Sequence, residues 1–165
     1  MIRLGLDYGK RRVGLALCDP DERVAVAAGA VTVDSLEDAA AKVDAAARAR
    51  GAAALVVGIP RRLDGRSGSA AREAGLFAEA LRGKGWTVDV EDERLTTREV
   101  HRALGLAGVS RRGRRAGVDA AAAQRILSLF LERRRRAFPG EGERGEGEGS
   151  AGTGGQPPGP CQPGE

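Results

Sequence analysis

Aromatic residues are scarce in this chain, with one Trp, one Tyr and three Phe among 165 residues. Most of these are expected inside the fold, so stacking on single-stranded bases is not a prominent theme. Cysteine is scarcer still: Cys18 and Cys161 form neither a disulfide framework nor a metal-ligand spacing, which fits a reducing, cytoplasmic setting. The single histidine, His101, falls among arginines on a polar helical face and takes no catalytic role. Without a histidine near it in sequence, Cys18 reads as a small buried residue and not as a nucleophile. Apolar runs such as Ala52 to Gly58 fall far short of the roughly 20 residues of a membrane span. The opening Met1-Ile2-Arg3-Leu4 leads into a strand-like pattern instead of a signal peptide, so no membrane partner is expected. No internal repeat is visible.

What the chain has in quantity is positive charge, unevenly placed. The formal net charge is +4, yet residues 137–165 hold five Glu against one Arg, a net of −4, so the rest carries +8. From Arg94 to Arg136 twelve Arg face only Glu99, Asp119 and Glu132, a net of +9. A polyanion is the natural partner of such a surface. Beyond Phe138 the composition turns to Gly, Glu, Ser, Pro and Gln, which cannot bury enough apolar area to order itself. The expected organisation is one folded domain over residues 1–137 and a disordered acidic tail over 138–165.

Hydrophobic periodicity supplies the elements. Ile2 to Tyr8 and Val13 to Leu17 alternate strictly around Gly9, the pattern of two antiparallel strands joined by a tight turn. Val24 to Val33 reads as a third strand, weakened by Gly29. Ser35-Leu36-Glu37-Asp38 has the form of a capping box and opens an Ala-rich helix to about Arg50. Ala53 to Ile59, ended by Pro60, suits a buried parallel strand. Ser69 opens a second helix, with Leu76, Phe77, Ala80 and Leu81 as its apolar stripe and Gly83 and Gly85 as its end; Trp86 to Glu91 is the fifth strand. Thr96 with Glu99 makes another capping box before a third helix on Val100, Ala103, Leu104 and Ala107. Ser110 to Arg115 lacks apolar periodicity and is expected as an exposed loop, after which a last helix runs from about Ala116 to Arg135, with Val118, Ala122, Ile126 and Leu129 along one stripe. The fold class is therefore α/β: a mixed five-stranded sheet, three antiparallel strands followed by α-β-α-β-α, with helices on both faces.

Three acids stand where hydrophobic elements begin or end: Asp7, Glu93 and Asp119. Brought together they would make a divalent-metal site; left apart they are ordinary turn and cap acids. Around them, Gly5-Leu6-Asp7-Tyr8-Gly9 is followed by Arg12-Val13-Gly14 and Asp19-Pro20, and Val56-Val57-Gly58-Ile59-Pro60 by Asp64-Gly65. Asp92-Glu93-Arg94-Leu95-Thr96-Thr97 and Val118-Asp119-Ala120-Ala121-Ala122 complete the series. Each alone is weak, but four in this order over residues 2–132 resemble the YqgF/RuvX family, described both as Holliday junction resolvases and as pre-16S rRNA nucleases, within the ribonuclease H-like superfamily. Lys10 stands where that family often has threonine, and Arg61-Arg62-Leu63 is more basic than usual.

That resemblance implies that Asp7, Glu93 and Asp119 are catalytic and hold two Mg²⁺ or Mn²⁺ ions about 4 Å apart for phosphodiester hydrolysis. Strand alternation puts Asp92 and Glu93 on opposite faces, so Asp92 is the alternative to Glu93. Lys10, Arg11 and Arg12, with Arg94 and the Arg111, Arg112, Arg114 and Arg115 cluster, are candidate phosphate contacts, although hairpin-turn solvation explains the first three as well. The expected activity is metal-dependent endonucleolytic processing of the 5′ end of pre-16S rRNA in ribosome biogenesis. Resolution of branched DNA, or metal-independent nucleic-acid binding in ribosome assembly or transcription, are the alternatives. An actin-like ATPase is disfavoured, since the chain has length for one domain and no Gly-Lys-Ser/Thr loop. Monomer and homodimer are not distinguished by the sequence.

Overall fold

The computed structural model describes residues 1–60, 68–93 and 111–137, with the side chains of Glu93 and residues 111–116 outside the described set. The stretch 94–110, expected to hold the third capping box and its helix, lies outside it too, as do Arg94, His101 and the tail. Five strands, β1 (Arg3–Tyr8), β2 (Arg12–Cys18), β3 (Ala25–Thr32), β4 (Ala54–Pro60) and β5 (Val88–Glu93), form one sheet in the order β3-β2-β1-β4-β5. The described helices are α1 (Leu36–Ala49), α2 (Ser69–Gly83) and α3 (Arg111–Ala137). β1, β2 and β3 pair antiparallel, while β4 and β5 join parallel to β1 and to each other. The mixed five-stranded sheet is the one the alternation patterns imply.

Local chemistry accounts for most of the boundaries. The Gly9 amide donates to the Arg12 carbonyl at 2.9 Å and closes the first hairpin. At the next turn the Asp19 carboxylate accepts from the Arg23 and Val24 amides, which lowers its pKa and fixes the entry to β3. Ser35 caps α1, its hydroxyl accepting from the Asp38 amide at 3.0 Å, while the Asp38 carboxylate accepts in return from the Asp34 amide.

Two cores result, one on each face of the sheet. Leu4, Leu6, Val13, Leu15, Leu55 and Val57 pack against Val43 of α1 and Phe77 and Leu81 of α2. On the other face Ala16, Cys18 and Val56 meet Ala123, Ile126, Leu127, Phe130 and Leu131 of α3. Each of the large α3 side chains contributes about 1.5–3 kcal/mol by burial. Small residues set how closely α3 approaches. A Cβ on Gly5 would stand 2.7 Å from Leu127 Cβ, and one on Gly14 would stand 1.9 Å from the backbone oxygen of Asp119. These two glycines are the floor of a groove that seats the helix.

Some expectations are corrected. The Arg111 to Arg115 segment is not a loop but the first turns of α3, which reaches from Arg111 to Ala137. Arginine is a good helix former, and extending a packed helix adds a hydrogen bond per residue without a new nucleus, so no apolar period is needed there. β5 begins at Val88 and not at Trp86, because the Trp86 indole N–H turns to donate to Asp44 of α1 at 2.8 Å. On α2 the buried stripe is Ala71, Ala74, Phe77, Ala78 and Leu81, and Leu76 is exposed, because the apolar face is carried largely by alanines.

The groove yields a stability prediction. Gly14→Ala should cost at least about 2 kcal/mol in urea denaturation, since the obstructing atom is backbone and cannot swing away. Gly75→Ala on α2, where an added Cβ meets nothing within 4 Å, should be stabilising by about 0.5–1 kcal/mol.

Candidate functional site

The acids meet at one edge of the sheet, where the parallel strands end. Asp7 is the fifth residue of β1 and pairs across the hairpin with Gly14. Residues directly opposite in an antiparallel pair share a face. The face that Asp7 shares is therefore the one on which Gly14 receives the backbone of Asp119. Although Asp7 and Asp119 are far apart in sequence, the seating of α3 places them side by side.

Electrostatics registers that closeness. The carboxyl of Asp7 is pushed up from 3.8 to about 6, first by burial and then by the Asp119 charge. Asp119 is in turn paired with Arg12, whose Nε lies 3.2 Å from Oδ2. Arg12 and Gly14 occupy alternate positions of β2 and so present the same face. Arg12 thus faces the carboxylate that in turn raises the pKa of Asp7.

The third acid is placed by its backbone. Glu93 is the last residue of β5 and pairs with Pro60 at the end of β4, the same edge of the sheet. Along β5 the parity of Glu93 is that of Asp89 and Glu91, which pair with Arg3 and with Arg133 of α3. Asp92 has the other parity and lies opposite Ile59, which packs against the α1 and α2 core. Among the described residues no three metal-ligating side chains gather, the side chain of Glu93 being outside them.

Of the basic candidates among the described residues, Lys10 is exposed and ion-paired with Glu73 of α2 at 3.2 Å, Arg11 is exposed at the hairpin turn, and Arg12 reaches Asp119. The side chains of Arg94, Arg111, Arg112, Arg114 and Arg115 lie outside the described residues. Sequence reasoning missed the Arg12–Asp119 pair and the groove glycines. A glycine at alternate positions of an otherwise β-branched and aliphatic hairpin is the signal that could have found the groove. Buried Arg3 was missed as well: it bridges Glu22 and Asp89 at 3.0 and 2.8 Å and lies 5.1 Å over the Phe130 ring.

The donor set suits a hard divalent cation. Carboxylate oxygens are the ligands such ions prefer, and two like-charged acids, one of them desolvated, gain from a cation between them. Without that cation an ionised Asp7 burdens the fold. Its folded pKa lies above its unfolded one, so the folded state holds the proton more firmly, and stability falls as pH rises from about 4 through about 6. The displacement corresponds to about 2–3 kcal/mol when partial exposure is allowed for. In chelator, Asp7→Asn should therefore exceed the parent in stability by about 2 kcal/mol at pH 8, with the difference vanishing near pH 4, as read by urea denaturation at the two pH values.

Comparison with known proteins agrees with this arrangement. The family model described as "RuvX: Holliday junction resolvase" matches residues 1–133. A protein of Acidiphilium cryptum named "Putative pre-16S rRNA nuclease" is 43% identical over 130 residues, covering 78% of this chain and 82% of its own. One of the same name from Kineococcus radiotolerans is 42% identical over 137 residues, covering 81% and 73%. The solved structure of Thermus thermophilus RuvC, at 17% identity, superposes with a TM-score of 0.51 over 82% of this chain and 97% of that one, which is a likeness of fold. With its mixed sheet, its paired acids and a family match over nearly all of the described residues, the chain belongs to the RuvX family and is by class a nuclease.

Proposed function

We propose that the protein is a divalent-metal-dependent endonuclease that cuts structured nucleic acid, with the 5′ end of pre-16S rRNA as its substrate. The observation that carries this reading is the convergence of Asp7 and Asp119, from the first strand and the last helix, at the edge of the sheet where β5 ends in Glu93. The two relatives' names support the rRNA substrate. The fold it shares with a RuvC structure supports the nuclease scaffold.

In this reading Asp7 and Asp119, completed by Glu93, hold Mg²⁺ or Mn²⁺. When bound, the ions supply an activated water and neutralise the charge developing on the leaving oxygen. Asp7 contributes from a buried position, so its oxygens are fixed with little freedom to lose. Asp119 rides on α3, whose register the glycine groove sets, and this keeps the two carboxylates at a constant separation. Glu93 is preferred to Asp92 because Asp92 stands opposite Ile59 on the far side of the sheet. The water oxygen adds to phosphorus, the bond from phosphorus to the 3′ oxygen breaks, and a 5′ phosphate and a 3′ hydroxyl remain. Lys10 and Arg11, exposed at the hairpin turn, and the arginines that begin the α3 sequence are the proposed contacts to the phosphate backbone.

The family description favours a second substrate, the four-way DNA junction. Both substrates belong in one experiment: cleavage of labelled precursor rRNA and of a four-way junction by the protein and by Asp7→Asn, with Mg²⁺, Mn²⁺ or chelator. Expected is metal-dependent cutting of the precursor rRNA, reduced by at least about a thousandfold in Asp7→Asn, whose nucleic-acid affinity stays equal or rises. Cutting confined to the junction would transfer the substrate to branched DNA. Binding without cutting by either protein would make the chain a nucleic-acid-binding factor on a nuclease scaffold.

A further inference from the structure

Arginine pairs in this molecule are of two kinds. Arg3 is 3% exposed, grips two carboxylates and lies against Phe130, so releasing it would strand buried charge. Arg12 is held differently. Its side chain is 26% exposed, that of Asp119 is 29% exposed, and Nε lies 3.2 Å from Oδ2. A pair this exposed sits where water can take over either partner. Asp119, with which Arg12 is paired, is the acid whose charge acts on Asp7.

We propose that Arg12 is a positioning residue acting as a stand-in cation: it holds Asp119 next to Asp7 in the metal-free protein and is displaced from that carboxylate when a divalent ion arrives. The inference rests on the reading of Asp7 and Asp119 as metal ligands. Three features of the structure carry it. Asp119 is carried by a backbone pressed onto Gly14, so the carboxylate cannot retreat from Asp7 by moving its helix. Arg12 leaves the same face of β2 two residues away, so its guanidinium reaches the acid without backbone rearrangement. The other hairpin cations are directed elsewhere, Lys10 to Glu73 and Arg11 to an exposed position on the turn. Within the hairpin, Arg12 is the cation paired with Asp119.

Charge decides the sign of the effect. A resident guanidinium repels an incoming divalent ion with twice the charge product by which it attracts one carboxylate. Removing it therefore strengthens metal binding even though it loosens Asp119 in the metal-free state. This is the opposite of what a purely structural role would give, since loss of a structural prop weakens the site it supports.

The test is Mn²⁺ binding to the full-length chain by isothermal titration calorimetry at pH 7.5, alongside thermal unfolding in chelator. Arg12→Gln should bind Mn²⁺ about tenfold more tightly than the parent while melting at a lower temperature without metal. Arg12→Lys, which keeps the charge, should stay within about twofold of the parent in Mn²⁺ affinity. Unchanged or weaker binding by Arg12→Gln, with the parent binding normally, would overturn the stand-in role and leave the metal site intact. If Arg12→Gln fails to fold, Arg12→Lys decides: a fall in its Mn²⁺ affinity beyond twofold would overturn the proposal. A parent that binds no Mn²⁺ would overturn the metal reading itself, and this inference with it.

Discussion

Everything at the candidate site depends on how closely one helix can lie on one sheet. Gly5 and Gly14 leave the β1–β2 hairpin bare on the face that receives α3, and the helix settles until the Asp119 backbone rests where a side chain would otherwise be. Dispersion between Ile126, Leu127, Phe130 and the sheet then holds it there. A wider spacing would preserve the fold class and lose the encounter of Asp7 with Asp119, because interiors packed at crystal-like density pass on displacement instead of absorbing it.

Ion pairs secure the same helix along its length. Arg134 near its end pairs with Glu22 at 3.0 Å, Arg133 pairs with buried Glu91 at 2.8 Å, and Asp119 near its start pairs with Arg12. The Arg133 guanidinium also lies 5.8 Å from the Phe130 ring, which Arg3 approaches at 5.1 Å. Arg12, Arg133 and Arg134 thus commit part of the chain's positive charge to ion pairs that tie α3 to the sheet side.

What could be read in the sequence was whatever neighbouring residues decide between themselves. The first hairpin around Gly9, the Ser35 cap with Asp38, and the apolar run ended by Pro60 are local statements, and each appears in the structure within a residue or so. The acidic position at 7 was legible from its place at the end of an alternating run, and that at 119 from the start of an apolar stripe. Their juxtaposition was not, because it is decided by contacts between residues 14 and 119. The same limit explains Trp86, whose partner Asp44 lies on another element, and Arg3, which alternation would place on a strand but cannot show to be buried between Glu22 and Asp89. The beginning of α3 was misjudged for a different reason: periodicity detects burial, and a helical turn with no buried face leaves no period to detect.

The seating of α3 also bears on when the protein acquires its character. β1 and its Asp7 are made first, and the partner acid is carried on the last described element to leave the ribosome. A nascent or truncated chain ending before α3 has five strands and carries Asp7 on an uncovered sheet face, without Asp119. The pairing of Asp7 with Asp119 is the product of the final docking event, so an unfinished copy lacks it until α3 has been made.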